Sequence, residues 1–154
     1  MVYIWYLIAV LGCVRSECPL GWLHFEEACY LFSSEHLNWF TAQSSCRAHN
    51  ARLAEVETKV LADYLISVAK LLNKNVHYWL GGRDDSTDGI WTWSSSDRVF
   101  TYTAWGPGEP NGHANENCLD MYYGHQWKWN DDVCTSLRPY VCEKKYPGSD
   151  EIIG

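Results

Sequence analysis

Five oxygen-bearing side chains, Glu109, Asn111, Glu116, Asn130 and Asp131, are gathered between positions 109 and 131. They fall in three short runs: Glu109-Pro110-Asn111, Glu116-Asn117-Cys118 and Trp129-Asn130-Asp131. Carboxylate and amide oxygens in that number suit a Ca²⁺ ion, which takes about six to eight hard oxygen ligands in a tolerant geometry. The carboxylates would neutralise the ion and leave an excess of negative charge, while the amides add oxygens without adding repulsion. Each Asn also offers an NH₂ donor, and each carboxylate keeps spare acceptor lone pairs. A sugar diol would meet metal, donors and acceptors together. Cysteines at 118 and 134 are placed to tie the two halves of the cluster.

The elements that must hold this cluster can be read along the chain. Residues 1–16 open on an apolar run, Met1 to Gly12, about the length of a signal-peptide core and short of the roughly 20 apolar residues of a membrane span. Cleavage after Gly12, Cys13 or Ser16 fits, and residues 1–16 are set aside as a signal peptide. A lipoprotein-type signal ending at Cys13 fits less well, because the stretch before the apolar run is uncharged. Residues 17–154 then suit one domain with a real core. Cys18 to Cys29 reads as a short hairpin. Asn38 or Thr41 caps a helix running to about His49, with Trp39, Ala42, Cys46 and Phe40 on its inner side and Asn50 as the left-handed stop. Ala51–Val56 is a short strand or extended link. Thr58 caps a second helix to about Leu72, with Leu61, Leu65, Val68 and Leu72 at helical spacing. Short aromatic and β-branched runs follow at 76–80, 90–93, 118–123, 126–129 and 140–143. Two helices followed by strands indicate an α+β domain. The stretch 94–108 lacks periodicity and is expected to be an ordered binding loop.

Composition narrows the function classes. Acids exceed Lys plus Arg by 19 to 12, and no basic run appears, which argues against nucleic acid. Of seven cysteines, six lie beyond the leader, and an even count in a secreted chain reads as a disulfide framework. No C-x₂-C pair supports zinc. An enzyme is not expected: no Ser-His-Asp or Cys-His motif occurs, and calcium-bound Glu109 and Glu116 would be poor proton donors. Most of the nine Trp, including Trp22, Trp79, Trp91, Trp93 and Trp129, read as core. His113 and His125 read as surface residues.

Trp79-Leu80-Gly81-Gly82, Glu109-Pro110-Asn111, Glu116 two residues before Cys118, Trp129-Asn130-Asp131 and the order of cysteines together resemble the C-type lectin domain over essentially all of 18–143. The resemblance implies a C-type lectin-like fold with two helices, short antiparallel sheets and a long ordered loop region. It also implies the pairings Cys18–Cys29, Cys46–Cys142 and Cys118–Cys134, and a cis peptide at Pro110. Glu109, Asn111, Glu116, Asn130 and Asp131 become the expected Ca²⁺ ligands and sugar contacts, with His113 beside them.

Glu-Pro-Asn marks the family's mannose-type specificity, covering mannose, glucose, N-acetylglucosamine and fucose. The segment from Glu109 to Glu116 is one residue shorter than the usual mannose-binding pattern, and His113, Trp105 and Tyr123 are placed to reshape secondary contacts. Asp84 and Asp88 match two positions of an auxiliary calcium site, but Gly112 and Asn117 stand where acids are usual; a solvated acidic turn explains them equally well. The function implied is a secreted, calcium-dependent lectin that recognises microbial or self glycans, with no membrane span and with a homo-oligomer supplying avidity. The rival is a lectin-like domain binding protein, lipid or mineral without calcium-dependent sugar binding.

Overall fold

A computed structural model describes residues 17–72, 75–84 and 89–150, with the side chains of His113, Ser149 and Asp150 set aside. The expected leader, residues 1–16, lies outside the described residues. Two helices and two antiparallel sheets make an α+β fold. The first sheet has the order β1-β2-β9-β3, from β1 (Leu23–Phe25), β2 (Ala28–Phe32), β9 (Val141–Lys145) and β3 (Arg52–Leu53). The second has the order β6-β5-β4-β7-β8, from β6 (Arg98–Val99), β5 (Thr92–Trp93), β4 (His77–Arg83), β7 (Cys118–Tyr122) and β8 (Lys128–Asp132).

Helix α1 (Trp39–Ala48) starts where Asn38 Oδ1 accepts the Thr41 backbone N–H at 2.9 Å, which satisfies one of the otherwise unpaired first-turn donors. Asn50, at φ 52°, turns the chain out of the helix in the left-handed region. Its buried face is Trp39, Ala42, Gln43 and Cys46. Phe40, expected on that face, is instead half exposed, with the Arg83 guanidinium 4.8 Å from its ring centroid. Trp39 takes the inner position, buried and donating from Nε1 to the Leu80 carbonyl at 2.8 Å. Gln43, which the apolar spacing did not mark, is buried because its amide ties three segments: Oε1 accepts the Leu53 N–H, and Nε2 donates to the Ser94 and Ser95 hydroxyls. Helix α2 (Lys59–Leu72) buries Leu61, Leu65 and Val68, with Thr58 Oγ1 accepting the Leu61 N–H. Leu72 remains partly exposed.

Strand β4 crosses the middle of the molecule, and its composition follows from that. Trp79 is fully buried and donates from Nε1 to the Leu37 carbonyl. At Gly81 a Cβ would lie 2.8 Å from the Leu53 carbonyl oxygen, so β3 and β4 approach as closely as they do only over glycine. Three disulfides, Cys18–Cys29, Cys46–Cys142 and Cys118–Cys134, clip the β1–β2 hairpin, join α1 to β9 and join β7 to the segment after β8.

Three sequence expectations shift. The stretch 94–108 contains a short strand, β6, paired to β5 through Thr92–Val99 and Trp93–Arg98. The strand expected at 126–129 begins only at Lys128, because Gln126 and Trp127 both take left-handed φ near 58°. Trp22 packs on the edge of the core and is only partly buried, with Lys144 Nζ 4.2 Å from its ring centroid. Trp129 sits at the centre of the upper core, meeting Trp93, Tyr102 and Trp105 edge to face at 5.7–5.8 Å. Those contacts explain how a segment without periodicity stays ordered.

Candidate metal and glycan site

The site grows from β8. Trp129, anchored in the core, pairs with the incoming loop: Gly106 N–H donates to the Trp129 carbonyl at 2.7 Å and Trp129 N–H to the Ala104 carbonyl at 2.9 Å. The next two residues of the strand are Asn130 and Asp131. Asp131 is buried, and its two carboxylate oxygens accept the backbone N–H groups of Asn111 at 3.0 Å and Gly112 at 2.8 Å. The Glu109–Pro110 peptide is cis. Asn111 is exposed, while the Glu109 side chain is only 4 % exposed. Asn130 Nδ2 donates to the Asp131 backbone carbonyl at 2.6 Å.

Glu116 returns to the same place from the start of β7. A Cβ on Gly112 would collide with the Glu116 side chain, so glycine there lets Glu116 fold back against the loop tip. The structure thus sets Glu109 and Glu116 about Asp131, whose charge bears on both, with the backbone of Asn111 held by Asp131 and Asn130 next to it on β8; the side chains of Asn111 and Asn130 make no recognised contact with the three acids among the described residues.

The electrostatics suit a cation. Burial, then a hydrogen bond and charge from Asp131, and then the charges of Glu116 and Asp120 push Glu109 up to about 7. Burial and the charges of Asp131 and Asp132 also raise Glu116. Glu109 Oε2 is buried with no hydrogen-bond partner among the described residues. Among the described residues, His125 is the basic group that pairs with these acids, Nδ1 to Glu109 Oε1 at 3.6 Å. Acids crowded together, with an orphaned carboxylate oxygen and no ammonium or guanidinium paired to them among the described residues, form a donor set that a hard divalent cation satisfies.

His125, read from the sequence as a surface residue, is 24 % exposed: its ring stands edge-on to Tyr122, a Cβ on Gly106 would collide with it, and its Nδ1 lies 3.6 Å from Glu109 Oε1. It therefore lies against Glu109 while keeping part of its ring in solvent. The sequence signal was weak: a His in a Tyr-Gly-His turn gives no hint that the turn folds under residue 109. A second group also escaped notice. His77 Nδ1 meets Asp120 Oδ2 at 2.6 Å, and Asp132, held by Arg138 at 2.9 Å, lies beside them. Burial pushes the fully buried Asp120 up to about 6, against the pull of His77.

Of the remaining candidates, Asp84 is buried, with Oδ2 accepting the Gly89 N–H at 3.2 Å. Asp88 lies outside the described residues. So does the side chain of His113, whose backbone belongs to the short helical turn His113–Asn115. Trp105 is partly buried against the core, and Tyr123 is exposed, its ring against Tyr122 and Trp127.

Residues 35–144 match the Lectin C-type domain family, and the chain belongs to the C-type lectin family. Among curated proteins it is 29 % identical over 145 residues to a perlucin-like protein of Mytilus galloprovincialis, covering 92 % of this chain and 93 % of that one. It is 33 % identical over 147 residues to C-type lectin lectoxin-Enh5 of Pseudoferania polylepis, with 90 % of each covered. It is 29 % identical over 131 residues to the galactose-specific lectin nattectin of Thalassophryne nattereri, covering 84 % and 81 %. Among solved structures, the carbohydrate-recognition domain of cow CD23, crystallised with GlcNAc2Man3 oligosaccharide, matches with a TM-score of 0.74 at 31 % identity, covering 84 % of this chain and 96 % of that one. Human lithostathine matches with a TM-score of 0.78 at 26 % identity, covering 92 % and 99 %. A calcium-independent type II antifreeze protein shares the fold, with a TM-score of 0.75 at 22 % identity over 84 % and 95 %. No helix of the described residues is long and apolar enough to cross a membrane.

Proposed function

We propose that this chain is a calcium-dependent sugar-binding lectin of mannose-type specificity. The observation that carries the reading is the gathering of Glu109 and Glu116 about Asp131, which also holds the backbone of Asn111, with Glu109 Oε2 buried and without a hydrogen-bond partner among the described residues. Glu109, Asn111, Glu116, Asn130 and Asp131 would hold the ion, and Ca²⁺ when bound supplies coordination for two vicinal sugar hydroxyls. Glu109 and Glu116 accept from those hydroxyls, and Asn111 and Asn130 donate to them. Asp131 holds the Asn111 backbone in register through its N–H and keeps the loop tip over the cluster. His125 backs Glu109 from below. The family is generally non-enzymatic, and binding and orienting a diol is all that these groups are asked to do.

The order acid-then-amide at 109 and 111 supports mannose-type ligands over galactose, because exchanging the two reverses donor and acceptor around the diol. Three disulfides, and the apolar run from Met1 to Gly12 if it acts as a leader, support a secreted, extracellular protein. One shallow site that grips two hydroxyls binds monosaccharide weakly, so association of several copies would supply avidity toward microbial or self glycan surfaces. Lithostathine and a calcium-independent antifreeze protein share this fold, so a domain that binds protein, lipid or mineral is the competing outcome. A glycan array probed in Ca²⁺ and again in EDTA separates the two. Mannose-type signals that vanish in EDTA support the lectin; binding to no glycan, or binding indifferent to EDTA, favours the rival.

A further inference from the structure

Strand β7 lies between β4 and β8, and its pairings put three metal-type ligands on one face of the sheet. Asp120 stands opposite Trp79 of β4 and Asn130 of β8. Side chains alternate along a strand, so His77, two residues before Trp79, and Asp132, two after Asn130, share the face of Asp120. Each of the three offers a ligand atom, and these atoms lie within 4.8 Å of one another. His77 Nδ1 meets Asp120 Oδ2 at 2.6 Å.

The bonding of this trio is incomplete at one atom. Asp132 is satisfied: Oδ2 accepts from Arg138 at 2.9 Å, and Oδ1 accepts the Val133 N–H and the Ser136 hydroxyl. Asp120 is not. It is fully buried, and its Oδ1 has no hydrogen-bond partner among the described residues. A buried carboxylate oxygen left bare costs free energy until something answers it. That oxygen belongs to the same carboxylate that His77 meets, so it lies within the trio. Arg138, Ser136 and Val133 fix the Asp132 carboxylate from outside, and Tyr122 stacks on the His77 ring at 4.2 Å. Outer contacts of that kind orient metal ligands.

We propose that His77, Asp120 and Asp132 form a zinc site, separate from the calcium cluster, that fastens β4, β7 and β8 to one another. One imidazole and two carboxylates make a nitrogen–oxygen set suited to Zn²⁺, whereas Ca²⁺ takes oxygen alone. Zinc ligands stand about 2.0–2.2 Å from the ion, so atoms already this close enclose it after small side-chain rotations. The His77 side chain is 18 % exposed, which gives the ion an entry and leaves the fourth position to water. The site shares no ligand with the calcium cluster, so it stands whether or not the chain binds sugar.

The test is calorimetric titration of the full chain with Zn²⁺ in saturating Ca²⁺, on wild type, His77→Gln and Asp120→Asn, joined to X-ray absorption at the zinc edge on loaded wild type. Wild type should take one equivalent of zinc and melt at a higher temperature with it. Each variant should bind at least about a hundredfold more weakly, since even outer-contact losses cost about 10–100-fold. The absorption spectrum should show one imidazole nitrogen among oxygen ligands. It is read on wild type, so it decides the matter even where a variant fails to fold. No zinc heat from wild type, zinc bound as tightly by either variant as by wild type, or a spectrum showing sulfur or more than one imidazole overturns the site.

Discussion

The Asp131 carboxylate accepts the backbone N–H of Asn111 at 3.0 Å, so an interior strand residue sets the position of an exposed loop residue twenty positions earlier. The same carboxylate takes the Gly112 N–H at 2.8 Å. One side chain therefore serves as both expected ion ligand and clamp, and the loop that presents Glu109 and Asn111 depends on it.

Asp131→Ala should remove both functions. Calcium affinity is expected to fall by more than about a hundredfold, because losing even groups outside the coordination sphere commonly costs about 10–100-fold. Calorimetric titration of Ca²⁺ measures this. A circular dichroism spectrum matching wild type would show that the Cys118–Cys134 bridge and the Trp129 core keep β7 and β8 paired without the carboxylate.

The donor–acceptor order at 109 and 111 gives a specificity test. Glu109→Gln with Asn111→Asp keeps the size of both side chains and exchanges acceptor for donor. The double variant should lose preference for methyl α-mannopyranoside and gain relative affinity for methyl β-galactopyranoside in competition assays. Unchanged relative affinities would sink the assignment of these two residues to the diol. The short segment before Glu116 and the similarity to a galactose-specific relative make this a sharp comparison.

Stability without calcium should depend on pH with a definite sign. Burial raises Asp120 to about 6 and Glu143 to about 7. In the unfolded chain such groups titrate near about 4, so the folded protein holds these protons more tightly. Their contribution is then fully present below about pH 4 and lost as pH rises through 6 to 7. In EDTA, the melting temperature should be higher at pH 5 than at pH 7.5. Asp120→Asn, which keeps an acceptor for His77, should flatten the slope; an unaltered slope would remove Asp120 from this role.

Gly81→Ala tests the close approach of β3 and β4. Its Cβ would meet the Leu53 and Ala54 carbonyl oxygens at 2.8 and 3.3 Å. Leu53 is paired with Cys142 of β9, so that backbone yields only by disturbing the first sheet. A loss of about 1–3 kcal/mol in denaturant unfolding is expected, the usual cost of overpacking. Denaturation curves that superimpose on wild type would contradict it.

Much of this architecture was legible from residue order. Asn38, offered with Thr41 as the first cap, and Thr58 announced the two helix starts, and the Leu61–Leu65–Val68 spacing marked the buried face of α2, because both signals are local. Glu109, Asn111, Glu116, Asn130 and Asp131 stood out as oxygen donors because they fall in three short runs, each beside a cysteine, proline or tryptophan. What stayed hidden depends on contacts between distant segments. Gln43 is buried only because Leu53, Ser94 and Ser95 converge on it. His125 is drawn under Glu109 by the left-handed pair Gln126 and Trp127, which no strand or helix period marks. β6 is two residues long and exposed on both, too short for an alternating pattern to register.

The most direct test of the central claim is titration of the purified chain with methyl α-mannopyranoside in saturating Ca²⁺, repeated after exchange into EDTA. Weak, saturable binding that disappears in EDTA and returns when Ca²⁺ is restored is the expected result. Binding of equal strength in both buffers, or no heat in either, would contradict a calcium-dependent sugar site built on Glu109, Asn111, Glu116, Asn130 and Asp131.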